Sequence, residues 1–168
     1  MLIAKQDKPT LQRINLLHPK LRDEALKIYE EAEDNLNNYR LRFTYTLRTF
    51  QEQELLFSQG RTRPGKIVTN ARAGKSFHNY GLSSDICLLS PDGKMATWDT
   101  VKDFDNDGIA DWMEVVAVFK KYGWEAGIDW KTFKDAPHFQ KAFGYNIHQL
   151  LDKYKAGDFI PGTKYLNI

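Results

Sequence analysis

The 168-residue sequence has little cysteine, no long apolar run and almost no net charge. Its single cysteine, Cys87, cannot form an internal disulfide, so the fold does not depend on an oxidising compartment. No segment is long and apolar enough to span a bilayer, and residues 1–9 lack the apolar core of a signal peptide. We therefore expect synthesis in the cytoplasm without a signal peptide and no stable membrane association. The net charge of +2 is too small to indicate a nucleic-acid partner.

Apolar periodicity predicts one α+β domain, because helical and strand-like patterns alternate without repeats or linkers. A chain of this length can bury a core, and nothing in it indicates more than a monomer. The predicted helices cover residues 20–36, 51–58, 112–121 and Ile147–Lys155, and a short one carries Leu11, Ile14 and Leu17. The predicted strands cover residues 41–47, 67–69, 85–89 and 95–100.

Two distant segments hold residues that suit a catalytic metal. His78 is followed seven positions later by Asp85, and Asp135 stands three positions before His138. Two imidazoles and one carboxylate are a common protein contribution to catalytic zinc, with the fourth position left for water. Asp135 is then the acid/base beside the metal. The spacing alone also fits histidines that are satisfied within a core.

The segments carrying these residues resemble two signatures of a known peptidase family. Residues 76–85 read SFHNYGLSSD, which resembles Ser-x-His-x-x-Gly-x-Ala-x-Asp, and residues 135–139 read DAPHF, which resembles Asp-x-x-His-Phe. The family is that of zinc D-Ala-D-Ala carboxypeptidases and L-alanyl-D-glutamate endopeptidases, which includes VanY-like peptidases and phage endolysins. Shorter similarities occur at residues 17–19, 48–53, 60–62 and 68–69. The sequence departs from the family at Ser83, where alanine is common, and across residues 124–130.

The resemblance implies a fold, a metal and roles for individual residues. The implied fold is a small antiparallel sheet flanked by helices, like that of hedgehog domains and D,D-peptidases. The implied zinc ligands are His78, Asp85 and His138, with Asp135 as the catalytic carboxylate. Arg48 matches a family arginine that clamps substrate or polarises its carbonyl, although a solvated loop arginine is the alternative. Ser76 is expected to bind substrate or support the loop.

A second, different metal site is indicated by residues 103–114, DFDNDGIADWME. This segment fits the ligand positions of an EF-hand calcium loop. Its five carboxylates within twelve residues repel one another unless a cation is present, although an acidic surface loop is the alternative. Because only one loop occurs, we expect structural or regulatory Ca²⁺. The predicted ligands are Asp103, Asp105, Asp107, Ile109 through its carbonyl, Asp111 and Glu114.

We therefore expect residues 1–168 to form one zinc peptidase domain with an embedded calcium loop, acting on the peptide stems of peptidoglycan. The first expectation is cleavage of the L-Ala–D-Glu bond by a phage endolysin that reaches the cell wall after release from the host cytoplasm. The alternatives are a D-Ala-D-Ala carboxypeptidase and a non-enzymatic, calcium-dependent cell-wall-binding domain.

Overall fold

Four of the five α-helices begin at a capping side chain in the computed structural model, which describes residues 7–168. Asp7 caps the first helix, and Pro19 stands in the first turn of the second. Reciprocal capping boxes open the third helix (Thr49 with Glu52) and the fifth (Asn146 with Gln149). The helices are α1 (Lys8–Asn15), α2 (Pro19–Asn35), α3 (Phe50–Ser58), α4 (Asp111–Lys121) and α5 (Ile147–Lys155).

The strands form one small antiparallel sheet around a central strand. They are β1 (Arg40–Tyr45), β2 (Ser83–Leu89), β3 (Ala96–Thr97), β4 (Glu125–Ala126) and β5 (His138–Gln140). The order is β1-β2-β5-β4, and β3 pairs with the end of β2. Because β5 pairs with the start of β2, the two segments that carry the predicted metal ligands are hydrogen-bonded neighbours. This pairing is what places the candidate site.

The core lies between the sheet and the helices that cover it. Helices α1 and α2 pack on β1, and α2 also packs on α4. The largest side chains with almost no exposed surface include Trp112, Phe43, Phe119 and Phe139. Phe119 stacks on Phe139 with ring centroids 4.0 Å apart. Burial of this aromatic layer supplies the main driving force for folding and fixes β5 beside β2.

The structure confirms the predicted α+β class with a small antiparallel sheet flanked by helices. Two strand predictions were wrong. Residues 67–69 are not a strand, since Ile67 and Val68 are more than half exposed and pair with no sheet neighbour among residues 7–168. The strand predicted at 95–100 is only the two-residue β3. Within residues 7–168, no helix has both the length and the apolar character needed to cross a bilayer. The signal-peptide expectation concerns residues that lie mostly outside the described part.

Candidate active site

His78 is held on a short 3₁₀-helix, Phe77–Tyr80, immediately before β2. The Ser76 hydroxyl caps this turn by accepting a hydrogen bond from the His78 backbone N–H. The His78 ring is buried, and its Nδ1 lies 2.7 Å from the carbonyl oxygen of Thr46. A carbonyl can only accept, so Nδ1 carries the proton and Nε2 presents a lone pair in the neutral ring. The backbone carbonyl of Thr46, just after β1, thus determines which nitrogen of the neutral His78 ring carries the proton.

Asp85 and His138 are neighbours on the adjacent strands β2 and β5. They are paired in the register of β2 and β5, so both side chains lie on one face of the sheet. Asp85 Oδ1 lies 3.2 Å from His78 Nε2 and 3.1 Å from His138 Nδ1. Burial alone raises the pKa of the Asp85 carboxyl, but its hydrogen bonds to His138 and His78 outweigh burial and lower it well below the ordinary value. Asp85 is therefore ionised at neutral pH.

The donor atoms of these three residues fit a metal ion. His138 Nε2 lies 3.0 Å from the Gln140 side-chain oxygen Oε1, so Nε2 is the protonated nitrogen and Nδ1 holds the lone pair. In the neutral rings that a bound metal requires, two imidazole lone pairs and one carboxylate oxygen would lie within 4.8 Å of one another. Such an arrangement could hold a cation, and a set of two imidazoles and a carboxylate suits zinc. Without an ion, burial lowers the pKa of His138, but a hydrogen bond from Nδ1–H to Asp85 outweighs burial and raises it.

Asp135 stands beside this trio and is not one of its members. Its carboxyl lies at the mouth of the cavity, where partial burial and the negative charge of Asp85 raise its pKa. The backbone around it is fixed by Gly127, whose carbonyl accepts from the Asp135 N–H at 3.1 Å. A Cβ at position 127 would lie 2.3 Å from the Asp135 carbonyl oxygen. Only glycine therefore permits this approach of the two loops.

Arg48 supplies a positive charge to the same cavity. Its Nη1 donates to Gln53 Oε1 at 3.0 Å, its guanidinium carbon lies 4.6 Å from the Tyr45 ring centroid, and Nη2 is 4.0 Å from Asp85 Oδ2. Its buried Nε has no hydrogen-bond partner among the described residues. The solvated alternative for Arg48 does not hold, because its side chain is 12% exposed.

The cavity that contains these groups measures about 400 Å³. Ser76, predicted as a substrate-binding residue, is in its wall, together with Trp98 and Trp130. Two neighbouring hollows share wall residues with this cavity. One, of about 600 Å³, shares Val68, Thr69, Trp130 and Asp135, and another, of about 350 Å³, shares Leu56. The cavity and these two hollows are together called the groove.

The predicted calcium ligands also come together. Carboxylate oxygens of Asp103, Asp105 and Asp111 lie within 4.8 Å of one another, as do those of Asp105, Asp107 and Glu114. Asp111 is fully buried, and its Oδ2 has no hydrogen-bond partner in the described chain; the same is true of Glu114 Oε2. Burial, then the charges of Asp107 and Asp105, raise the pKa of Glu114 to about 7. Ile109 lies in the same loop between these carboxylates.

Residues that the sequence analysis missed complete the site. Gln140 contacts His138, and Glu125 accepts from the Gln140 amide at 3.0 Å. A signal for Gln140 was present, because residues two apart on a strand share a face, and His138 and Gln140 are two apart. Glu125 gave no such signal, since it is remote in sequence and its contact depends on the pairing of β4 with β5.

Three potential ligands that could hold one metal ion, with a carboxylate beside them in a cavity, are what a mononuclear metallohydrolase on a small α+β domain would need. Comparisons with known proteins show a similarity to peptidases. Residues 69–141, which include the trio and Asp135, match the peptidase M15 family described as D-alanyl-D-alanine carboxypeptidase. This part of the chain is therefore similar to the peptidase M15 family.

Two individual proteins are similar to this chain. The peptidoglycan L-alanyl-D-glutamate endopeptidase CwlK of Bacillus subtilis (strain 168) is 50% identical over 97 residues, which are 58% of this chain and 58% of that protein. The crystal structure of Serratia marcescens L-Ala D-Glu endopeptidase ChiX has a TM-score of 0.51 and 22% sequence identity, covering 81% of this chain and 88% of the other. The second comparison confirms the fold.

Proposed function

We propose that this protein is a zinc-dependent peptidase that cuts the peptide stems of peptidoglycan, most specifically at the L-Ala–D-Glu bond. The observation that carries the proposal is the convergence of His78 Nε2, Asp85 Oδ1 and His138 Nδ1 beside Asp135 in one groove. These three atoms would hold the ion, and zinc so bound supplies a Lewis acid with an open position for water. Metal-assisted hydrolysis of an amide is the chemistry that this set of groups supports.

The protein's own groups account for the proton transfers and charges of such a hydrolysis. Asp135 takes a proton from the attacking water and returns it to the nitrogen of the leaving amine. A carboxyl whose pKa is raised is suited to both steps, because it holds the proton more readily than an ordinary aspartate. The Arg48 guanidinium, which lines the cavity, would stabilise the negative charge that develops on the carbonyl oxygen. Ser76, in the groove wall, is available to bind the peptide backbone.

The shape of the groove favours an endopeptidase. A carboxypeptidase binds the end of its substrate, whereas an endopeptidase must let the chain continue on both sides of the scissile bond. The cavity around His78 shares Leu56 with one neighbouring hollow and Val68 and Trp130 with another, and these hollows would give room for a chain beyond the scissile bond. The similarity to a protein named as an L-alanyl-D-glutamate endopeptidase supports the same choice. A role as a phage endolysin is proposed from the sequence resemblance alone.

Digestion of isolated cell walls tests this function and separates it from its alternatives. The wild type is expected to reduce wall turbidity, and His138→Ala and Asp135→Asn are expected to leave it unchanged. Mass spectrometry of the products should show peptides with a new amino-terminal D-Glu. Release of free D-alanine without loss of turbidity would instead indicate a carboxypeptidase. Calcium-dependent adsorption to walls without any new amino termini would indicate the non-enzymatic binding domain.

We also propose that residues 103–114 bind Ca²⁺ and that the ion shapes one side of the groove. The supporting observation is that buried oxygens of Asp111 and Glu114 point into the acidic cluster without partners. The loop touches two elements that lead to the site. Asp105 accepts from Asn37, just before β1, at 2.8 Å, and Asp111 begins α4, which leads to β4.

A calcium titration at fixed zinc concentration tests this coupling. The rate of wall hydrolysis is expected to rise with calcium in the wild type and to lose that dependence in Asp105→Ala. Asp23→Ala, at an exposed helical aspartate outside the loop, is the matched control and should respond like the wild type. A rate that is indifferent both to calcium and to Asp105→Ala would contradict the coupling.

A further inference from the structure

Strand β5 carries a second contact of His138 that lies on the side away from the proposed metal. His138 and Gln140 are two residues apart on β5 and so share one face of the sheet. The His138 Nε2 lies 3.0 Å from Gln140 Oε1. Both residues are buried, at 7% and 9% exposure, so water does not compete freely for this contact.

Glu125 determines which way the Gln140 amide faces. The two residues are directly paired in the register of β4 and β5, and Gln140 Nε2 donates to Glu125 Oε2 at 3.0 Å. A carboxylate can only accept, so it selects the NH₂ group of the amide and leaves Oε1 for the imidazole. With Oε1 as acceptor, the proton of His138 must sit on Nε2. In the neutral ring that a metal would bind, the lone pair of His138 is thereby left on Nδ1, which lies 3.1 Å from Asp85 Oδ1 and could share an ion with it.

We propose that Glu125 and Gln140 are positioning residues that fix the tautomer and ring orientation of His138 for metal binding. This inference rests on the proposed zinc site. In such sites, the hydrogen bond made by the second ring nitrogen orients the ligand and raises its basicity. The register of the strands places these four side chains in a row. Asp85 pairs with His138 on one side of β5, and Glu125 pairs with Gln140 on the other.

The row predicts a specific order of zinc affinities, measured by competition with a chromophoric chelator. Gln140→Met keeps the length of the side chain and removes the acceptor, so zinc affinity should fall by roughly 10–100-fold. Glu125→Gln should cause a smaller loss, because two amides can pair in either orientation and no longer select Oε1. Gln12→Met, at an exposed position on α1, is the matched control and should bind zinc like the wild type.

Exchanging the side chains of Glu125 and Gln140 should restore zinc affinity. A purely structural role of these two residues would not produce such a rescue. In Gln140→Glu alone, two carboxylates face each other, and zinc binding should weaken. In the double variant Gln140→Glu with Glu125→Gln, the amide at 125 donates to the carboxylate at 140, which again accepts from His138 Nε2. The double variant should therefore regain affinity, and the two substitutions should be strongly non-additive.

Nuclear magnetic resonance of the zinc-loaded protein provides a readout that is independent of activity. The Nε2 proton of His138 should exchange slowly with solvent in the wild type and in the double variant, and faster in Gln140→Met. If zinc binds the wild type and Gln140→Met with equal affinity and the Nε2 proton exchanges equally, the inference is wrong while the zinc site stands. If the wild type binds no zinc, the proposed function itself fails.

Discussion

Removal of calcium from residues 103–114 is expected to destabilise the folded protein. Without the ion, the fold must keep the unpaired Asp111 Oδ2 and Glu114 Oε2 buried beside other carboxylates. The pKa of Glu114, raised to about 7 from 4.5 by burial and by the neighbouring charges, expresses this cost. Because the folded state holds this proton more tightly than the unfolded state, the calcium-free protein should lose stability as the pH rises from about 4.5 to 7.

The size of the calcium effect follows from binding linkage. EF-hand loops of the sensor class bind calcium with dissociation constants of about 10⁻⁷ to 10⁻⁵ M. A calcium concentration of about 1 mM is therefore about 100 times the dissociation constant of the weakest loops in this class. At that ratio, binding stabilises the folded state by about 2.7 kcal/mol. For a chain of 168 residues, each kcal/mol moves the melting temperature by about 2–4 °C. The expected increase is therefore about 5–11 °C.

Thermal unfolding followed by circular dichroism measures this increase. Zinc is held constant, and protein with added calcium is compared with protein that was first stripped of metal and then reloaded with zinc alone. The wild type and Asp23→Ala should show the full increase, whereas Asp105→Ala should show little or none. Equal melting temperatures for the wild type with and without calcium would refute the reasoning from the buried carboxylates.

Three further substitutions are predicted to act through contacts described above. Gly127→Ala must displace the backbone of Asp135, so hydrolysis should fall sharply while zinc content, measured by atomic absorption, stays at the wild-type value. Arg48→Lys removes the fork-shaped donor, and kcat should fall by about 10²-fold or more, again with zinc retained. Asp7→Asn should lower stability by roughly 1–3 kcal/mol in urea unfolding, since Asp7 caps α1 and pairs with Arg42 at 2.6 Å. Burial raises the pKa of Asp7, but Arg42 outweighs it and lowers the pKa, so this difference should shrink as the pH falls below 3.8.

The sequence was informative where local rules decide the outcome. The capping residue Asn146 and the bounds of α5 were predicted as the structure has them, because a capping box and the helical apolar period act within a few residues. The pairing of β2 with β5, which brings Asp85 to His138, was accessible only through the family resemblance, since no local pattern states which strands pair.

The predictions that were wrong depended on tertiary contacts. The β-branched residues Ile67 and Val68 favour a strand by propensity, but no strand lies beside them and their side chains line the groove instead. The helix predicted from residue 112 begins one residue earlier, because Asp111 accepts from Phe104 N–H within the acidic loop. Glu125 was missed for a related reason, since its contact with Gln140 depends on the pairing of β4 with β5, whereas the spacing of His138 and Gln140 was a local signal that was not used.

Anomalous diffraction at the zinc edge, from crystals grown with zinc, tests the central claim most directly. The proposed zinc site predicts one strong peak that lies about 2.0–2.2 Å from each of His78 Nε2, Asp85 Oδ1 and His138 Nδ1. Asp135 should not be a ligand of this ion. A peak confined to the acidic loop at residues 103–114, or no peak between the two histidines, would contradict it.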